Sequence, residues 1–201
     1  SRLVMNQFAP VDIPVGLHWA AFDNNILPPI LDLPDIDPET TQDHVLVYLP
    51  FEDQDATTRW LQEFTDPSFI QYSPAITHEL RGNVLRQKAN VGGFKRDLAT
   101  ARGVICNTGF ELISECLQWR KPVLTRPLAK QMEQLSNAAA LEQLGYATTM
   151  QALETHKARA WLDDMPPAPK VHFQNVASAL ATWLARGARE PVAQLSEQLW
   201  S

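Results

Sequence analysis

The chain has 201 residues, 45% of them hydrophobic and 20% charged, with a formal net charge of −6. This is the composition of a globular protein and excludes a disordered one. The acidic balance excludes a nucleic-acid track, which needs a basic face, but leaves room for one phosphate pocket built from backbone amides.

A chain of this length buries roughly 70% of its unfolded surface and needs neither disulfide nor metal to fold. Cys106 and Cys116 are too few for a disulfide scaffold and lack metal-ligand spacing, so they fit a reducing cytoplasm. No apolar run reaches the ~18 residues of a membrane span, and no basic-then-apolar leader is visible. The sequence opens on Ser1 and not on Met, which raises the expectation that it is one portion of a longer protein.

In chain order, residues 1–40 come first. Six of the 15 prolines lie between Pro10 and Pro38, so this stretch cannot be a long helix or a central strand. It carries Phe8, Trp19, Phe22, Ile26, Leu27, Ile30 and Leu31, too many large apolar groups for a solvated linker. An extended segment packed against a domain is expected. Leu3, Phe8 and Trp19 are expected to be exposed and to favour self-association.

From His44 onward the pattern becomes regular. The apolar run 45–49, closed by Pro50, reads as a buried strand. Trp60, Leu61 and Phe64 give a helix over 56–64, ended by Asp66 and Pro67. Strands follow at 69–72 and 83–86. A short helix at 94–101, a strand at 104–106, a helix at 110–119 and a strand at 122–125 come next. A helix at 132–144 is closed by Gly145, and a last strand runs over 146–149. Three helices complete the chain, at 151–161, 173–185 and 191–199, with Pro191 suited to a first helical position. Alternating strands and helices imply an α/β fold: a doubly wound parallel sheet with helices on both faces. Ligands of such sheets bind beyond the carboxyl ends of the strands, where strand order reverses.

The chemistry concentrates in residues 90–147. A buried strand ends in Asn107, Thr108 and Gly109, and a helix begins at once. Asn107 and Thr108 are good N-caps, and Gly109 removes a side chain where backbone must approach a ligand. The helix N-terminus offers unsatisfied amides and partial positive charge, a ready site for a diphosphate. On this helix Glu111 and Glu115 lie four residues apart. Glu115, one turn in, is placed to accept two hydroxyls of a sugar diol. By spacing alone the pair reads rather as solvated surface charge. The next helix opens with Glu133 and Gln134, followed by Asn137. These could bind a polyhydroxyl ligand, or could cap the helix and face solvent.

The blocks Gly109–Glu115, Lys121–Leu124, Pro127–Ala138 and Leu144–Tyr146 together resemble the nucleotide-sugar donor domain of GT-B glycosyltransferases. More narrowly they are similar to the family-28-like group that includes the peptidoglycan N-acetylglucosaminyltransferase. The likeness covers roughly residues 45–150. Pro10–Trp19 and Ile26–Ile30 resemble the stretch between the two domains in a bacterial subgroup of glycosyltransferase-like proteins.

The resemblance implies a Rossmann-like half of a GT-B fold. Residues 1–40 would be an interdomain segment at the end of an absent N-terminal domain, and 41–201 the donor domain with its C-terminal helices. It implies a metal-independent hexosyltransferase, with a nucleotide diphosphate-sugar, of UDP type, as substrate and no cofactor. The partners implied are an unidentified acceptor and an N-terminal domain or partner subunit, which would also make any peripheral membrane contact. Glu115 would bind the ribose hydroxyls. Thr108 and the amides at Gly109 and Phe110 would cradle the diphosphate, where Asn107-Thr108-Gly109 departs from the Gly- or Ser-rich turn of many relatives. Glu133 and Gln134 would face the donor sugar, Asn137 would fix its helix, and the backbone at Phe94 and Lys95 would read the base. The chain alone would be catalytically incomplete. His18 is its one attractive base candidate, against the reading that it packs beside Trp19. A donor-binding subunit of a split enzyme and a sugar-nucleotide epimerase-like domain are the rival readings.

Overall fold

The computed structural model describes residues 11–22, 25–38 and 41–201. Leu3, Phe8 and Pro10 lie outside the described residues. The chain divides into two compact units, Asp32–His172 on the one hand, and the described part of Ser1–Leu31 with Phe173–Ser201 on the other.

The larger unit is a seven-stranded sheet flanked by helices. Its strands are β3 (His44–Tyr48), β4 (Ser68–Ser73), β5 (Glu79–Arg81), β6 (Val84–Lys88), β7 (Gly103–Asn107), β8 (Val123–Arg126) and β9 (Thr148–Thr149). Its helices are α1 (Gln54–Leu61), α2 (Val91–Thr100), α3 (Phe110–Gln118), α4 (Met132–Leu144) and α5 (Thr155–Asp163). The order is β5-β6-β4-β3-β7-β8-β9. All pairings are parallel except β5 with β6. Setting β5 aside, the order is that of a doubly wound dinucleotide-type sheet, and it reverses between β3 and β7. The expected α/β class and parallel sheet are therefore present.

Buried parallel strands need continuous apolar runs, and β7 is buried at every position from Gly103 to Asn107. One side of the core joins Val45, Val47, Leu49, Trp60, Phe64, Phe69, Ile105, Leu124 and Trp161. Helix starts follow local chemistry. Asp53 accepts from the Ala56 amide at 2.7 Å and Asn90 from the Gly93 amide at 2.7 Å, each satisfying an orphan donor. Gly145 ends α4 at φ +67°, in the left-handed region that glycine enters without strain.

Several expectations are corrected. The antiparallel β5 is not legible in the sequence, because it is only three residues long and its single apolar residue, Leu80, stands between two charges. It pairs with β6 through the two-residue turn Gly82-Asn83, Gly82 at φ +59°. The strand expected over 146–149 is confined to Thr148–Thr149. The helix expected from 151 begins at Thr155, because the Gln151 and Ala152 amides bond to the Glu154 carboxylate in a turn. Pro191 caps the last helix from just outside it.

The smaller unit holds the two-stranded parallel pair β1 (Gly16–Leu17) and β2 (Ile26–Leu27), with α6 (Val176–Ala185) and α7 (Val192–Trp200). Leu27, Val176, Trp183, Val192, Leu195 and Leu199 form its core. Ser196 Oγ and Trp200 Nε1 both donate to the Ile26 carbonyl at 2.7 Å. The last two helices thus group with the N-terminal segment, whereas the sequence reading set them with residues 41–201. Trp19 is 1% exposed, so it is not part of a sticky surface as the sequence reading allowed. No helix among the described residues is long and apolar enough to cross a membrane.

Candidate functional site

The carboxyl ends of β3 and β7 open on a hollow of about 380 Å³, lined by Tyr48, Asn90, Val91, Phe94, Lys95, Glu111, Leu112 and Glu115 among others. It lies where the strand order reverses. Phe94 is held edge-on by Tyr48 at 5.3 Å and by Tyr72 at 5.1 Å between ring centroids. Tyr72 in turn donates to Asp97 Oδ2 at 2.7 Å, tying α2 to β4. Burial and the Asp97 carboxylate together push the Tyr72 phenol well above its ordinary range, so it stays a donor.

Glu115 lines the hollow and is 9% exposed. Lys95 Nζ is ion-paired to its Oε1 and also donates to the Asp32 carbonyl at 3.2 Å. Burial raises the Glu115 carboxyl above its ordinary value, and the Lys95 ammonium works against that rise. Glu115 is therefore no solvated surface charge, and its spacing partner Glu111 is exposed.

Gly109 is the N-cap of α3, at φ −77° and ψ 141°, and no side chain caps this helix. The side-chain capping expected of Asn107 and Thr108 is absent, because the N-cap position falls on Gly109. Thr108 Oγ1 bonds Thr125 Oγ1 at 2.9 Å, and Asn107 Nδ2 donates to the Arg126 carbonyl at 3.1 Å. The Gly109 amide is itself used, donating to the Asn107 carbonyl at 2.8 Å, so it is not a cradle donor in this conformation. The first-turn amides of α3 begin at Phe110. A Cβ built on Gly109 meets no atom within 4 Å. Neither backbone angle nor packing within the protein requires glycine here.

Phe94 and Lys95 lie inside α2 and not on a loop. The Phe94 amide donates to the Asn90 carbonyl at 3.0 Å, so that backbone donor is spent within the helix. Both residues line the hollow. Asn137 is buried and its Nδ2 donates to the Thr108 carbonyl at 3.2 Å, tying α4 to the turn before α3. Gln134 is also buried, and its Oε1 accepts from the Leu128 amide at 3.0 Å. Glu133 is exposed. Phe94, Lys95 and Glu115 are thus brought together in the hollow, and Thr108, Gly109, Phe110 and Asn137 meet around the start of α3.

His18 belongs to the smaller unit. Its Nδ1 accepts from the Trp19 amide at 2.9 Å, and its ring packs edge-on to Trp19 and Phe22. Burial lowers its pKa. These contacts match the packing reading of this histidine.

The sequence reading missed Tyr48 and Asn90. Tyr48 reads as one more residue of an apolar strand, but it is the last residue of β3, where side chains meet ligand space. The cap signal of Asn90 before Val91 was legible.

The model of the family described as glycosyl transferase family 1 matches residues 20–166, well over half of the chain, and the chain belongs to that family. Among solved structures it is similar to the glycotransferase of kitacinnamycin, at 18% identity, with a TM-score of 0.51, over 86% of this chain and 48% of that one. It is also similar to the glycosyltransferase SnogD from Streptomyces nogalater, at 20% identity and a TM-score of 0.48, over 84% of this chain and 44% of that one. A third likeness is to the solution structure of ALG13, at 13% identity and a TM-score of 0.44, over 80% of this chain and 98% of that one. No curated protein matches the chain. The chain spans less than half of the first two structures. Its fold is that of one Rossmann-like half of a GT-B glycosyltransferase.

Proposed function

We propose that this chain is the donor-binding half of a glycosyltransferase that moves a hexosyl group from a nucleotide diphosphate-sugar, of UDP type, to an acceptor hydroxyl without a metal. The observation that carries the reading is the hollow at the strand-order reversal, lined by the buried carboxylate of Glu115 in the second turn of α3. A carboxylate accepts two hydroxyls of one diol. Glu115 Oε2 takes the ribose while Lys95 holds Oε1. The α3 amides and helix dipole face the diphosphate, and the open space at Gly109 lets it approach. The base lies against the Phe94 ring. Glu133 and the Gln134 amide group face the sugar.

In the transfer step the sugar C1–O bond to the diphosphate breaks and a C1–O bond to the acceptor forms. Preorganised donors at α3 stabilise the charge gathering on the leaving diphosphate. The acceptor, and the base that takes its proton, come from a second domain or a partner chain. Metal independence follows from this reading, since helix amides take the place of a bound cation. A cytoplasmic setting supplies such donors.

Thermal melting with UDP, GDP, ADP, dTDP and CDP tests the proposal. A ligand at 100 times its Kd adds about 2.7 kcal/mol. One such kcal/mol raises Tm by roughly 2–4 °C in a domain of this size. A shift with one nucleotide, lost in Glu115→Ala, is expected. No shift with any of the five, confirmed by calorimetric titration, overturns it.

A further inference from the structure

Glu52 follows β3 and Arg126 ends β8, and their side chains form an ion pair. Because β7 lies between those strands, the pair reaches across the carboxyl end of β7, where the chain turns towards Gly109 and α3. Both side chains are largely withdrawn from water, at 16% exposure for Glu52 and 20% for Arg126. Arg126 is in register with Asn107, whose Nδ2 donates to its carbonyl. Two atoms at this spot, Asn107 Oδ1 and Arg126 Nε, are buried with no hydrogen-bond partner among the described residues.

A half-buried ion pair gains little net stability, because desolvation offsets the attraction. A structural role therefore accounts poorly for this one. Carboxylate and phosphate are alternative partners for one guanidinium, and both suit its planar fork. An unopposed Glu52 at this edge would repel a phosphate, and an unopposed Arg126 would attract one.

Resting on the donor-site reading above, we propose that Arg126 binds the nucleotide diphosphate and that Glu52 holds it in reserve. The Glu52 carboxylate occupies the guanidinium until the diphosphate displaces it. The loop needs no backbone rearrangement for this exchange. Gln54 Nε2 tethers it by donating to the Leu49 and Glu52 carbonyls, both at 2.8 Å, so only the Glu52 side chain turns away. Because the diphosphate has to displace Glu52, the carboxylate offsets part of the affinity that Arg126 supplies. The unmet Arg126 Nε adds a second donor to the incoming anion.

Calorimetric titration of wild type, Glu52→Gln, Arg126→Gln and Arg126→Lys with the five nucleoside diphosphates and their monophosphates tests this. Glu52→Gln should tighten diphosphate binding about tenfold, and Arg126→Gln should weaken it at least about tenfold, the range for a charge-assisted hydrogen bond. Arg126→Lys should recover part of the loss, and monophosphate affinities should change far less. Melting of each unliganded variant identifies any that misfold. The Glu52→Gln arm still decides the matter if Arg126→Gln does not fold. Diphosphate binding that Glu52→Gln leaves unchanged or weakens overturns the exchange while the donor reading stands. Binding to neither wild type nor Glu52→Gln removes both.

Discussion

Lys95 on α2 and Glu115 on α3 form an ion pair in the lining of the hollow, the ammonium on Oε1 of the carboxylate. The same ammonium bonds the Asp32 carbonyl, so one cation joins two helices and the segment that leads into the sheet. Removing it leaves a buried carboxylate without its partner. Lys95→Met should cost about 1–3 kcal/mol, and combining it with Glu115→Gln should restore most of that. Chemical denaturation of the two single variants and the double variant checks this. Equal costs in the presence and absence of Glu115 would sink the pairing as the cause.

The same carboxyl sets a pH dependence. Its folded pKa lies above the ordinary 4.5, with burial the leading cause. A raised acid favours the folded state below the unfolded pKa, and that contribution is lost as pH rises through the folded pKa. The stability of Glu115→Gln relative to wild type should therefore increase as pH climbs from about 4.5 through the raised value. Denaturation curves taken between pH 4 and 8 give the comparison, and a stability difference, variant minus wild type, that falls with rising pH contradicts it.

Gly109→Ala separates ligand space from fold. Alanine is a poorer N-cap than glycine, but it also lowers the entropy of the unfolded chain, and the two effects nearly cancel. With φ at −77° and no atom near the new Cβ, stability should change by less than about 1 kcal/mol. Nucleoside diphosphate binding should fall by about tenfold or more if the diphosphate uses that space. Intact melting together with intact affinity would place the diphosphate elsewhere.

Gly103→Ala is the opposite case. Its Cβ would meet Trp161 Cη2 at 2.7 Å and Met165 Sδ at 2.8 Å. Met165 can move, but the indole is held in the core. Overpacking of this kind should cost about 1–3 kcal/mol. A Tm lower by roughly 2–4 °C per kcal/mol is the expected reading.

Both cysteines should be silent to thiol reagents in the folded protein. Burial pushes Cys106 up to about 12, opposed weakly by the Thr125 hydroxyl, and raises Cys116 as well. The thiolate is the reactive form. Labelling with an aromatic disulfide at pH 8 should follow the unfolding rate. A burst of one thiol per chain in native buffer would contradict the buried assignment.

Much of this protein is local, and local signals are legible in sequence. The apolar run 45–49, the Asn90 cap and Gly145 each act within a few residues, so strands, helices and the α/β class follow from spacing and end chemistry. Glu115 and Asn137 are legible through the motif resemblance that their blocks carry, whereas their offsets from helix starts fit surface charge and capping as well. The tertiary structure decided what spacing leaves open. It buried Glu115 while leaving Glu111 exposed, turned Gln134 onto the Leu128 amide, and gathered α6 and α7 with β2 around Leu27. It also supplied the charge partners. Lys95 and Glu115 are 20 residues apart in sequence, and Glu52 and Arg126 are 74 apart. No periodicity links residues at such separations. They meet because parallel strands deliver all their carboxyl ends to one edge of the sheet.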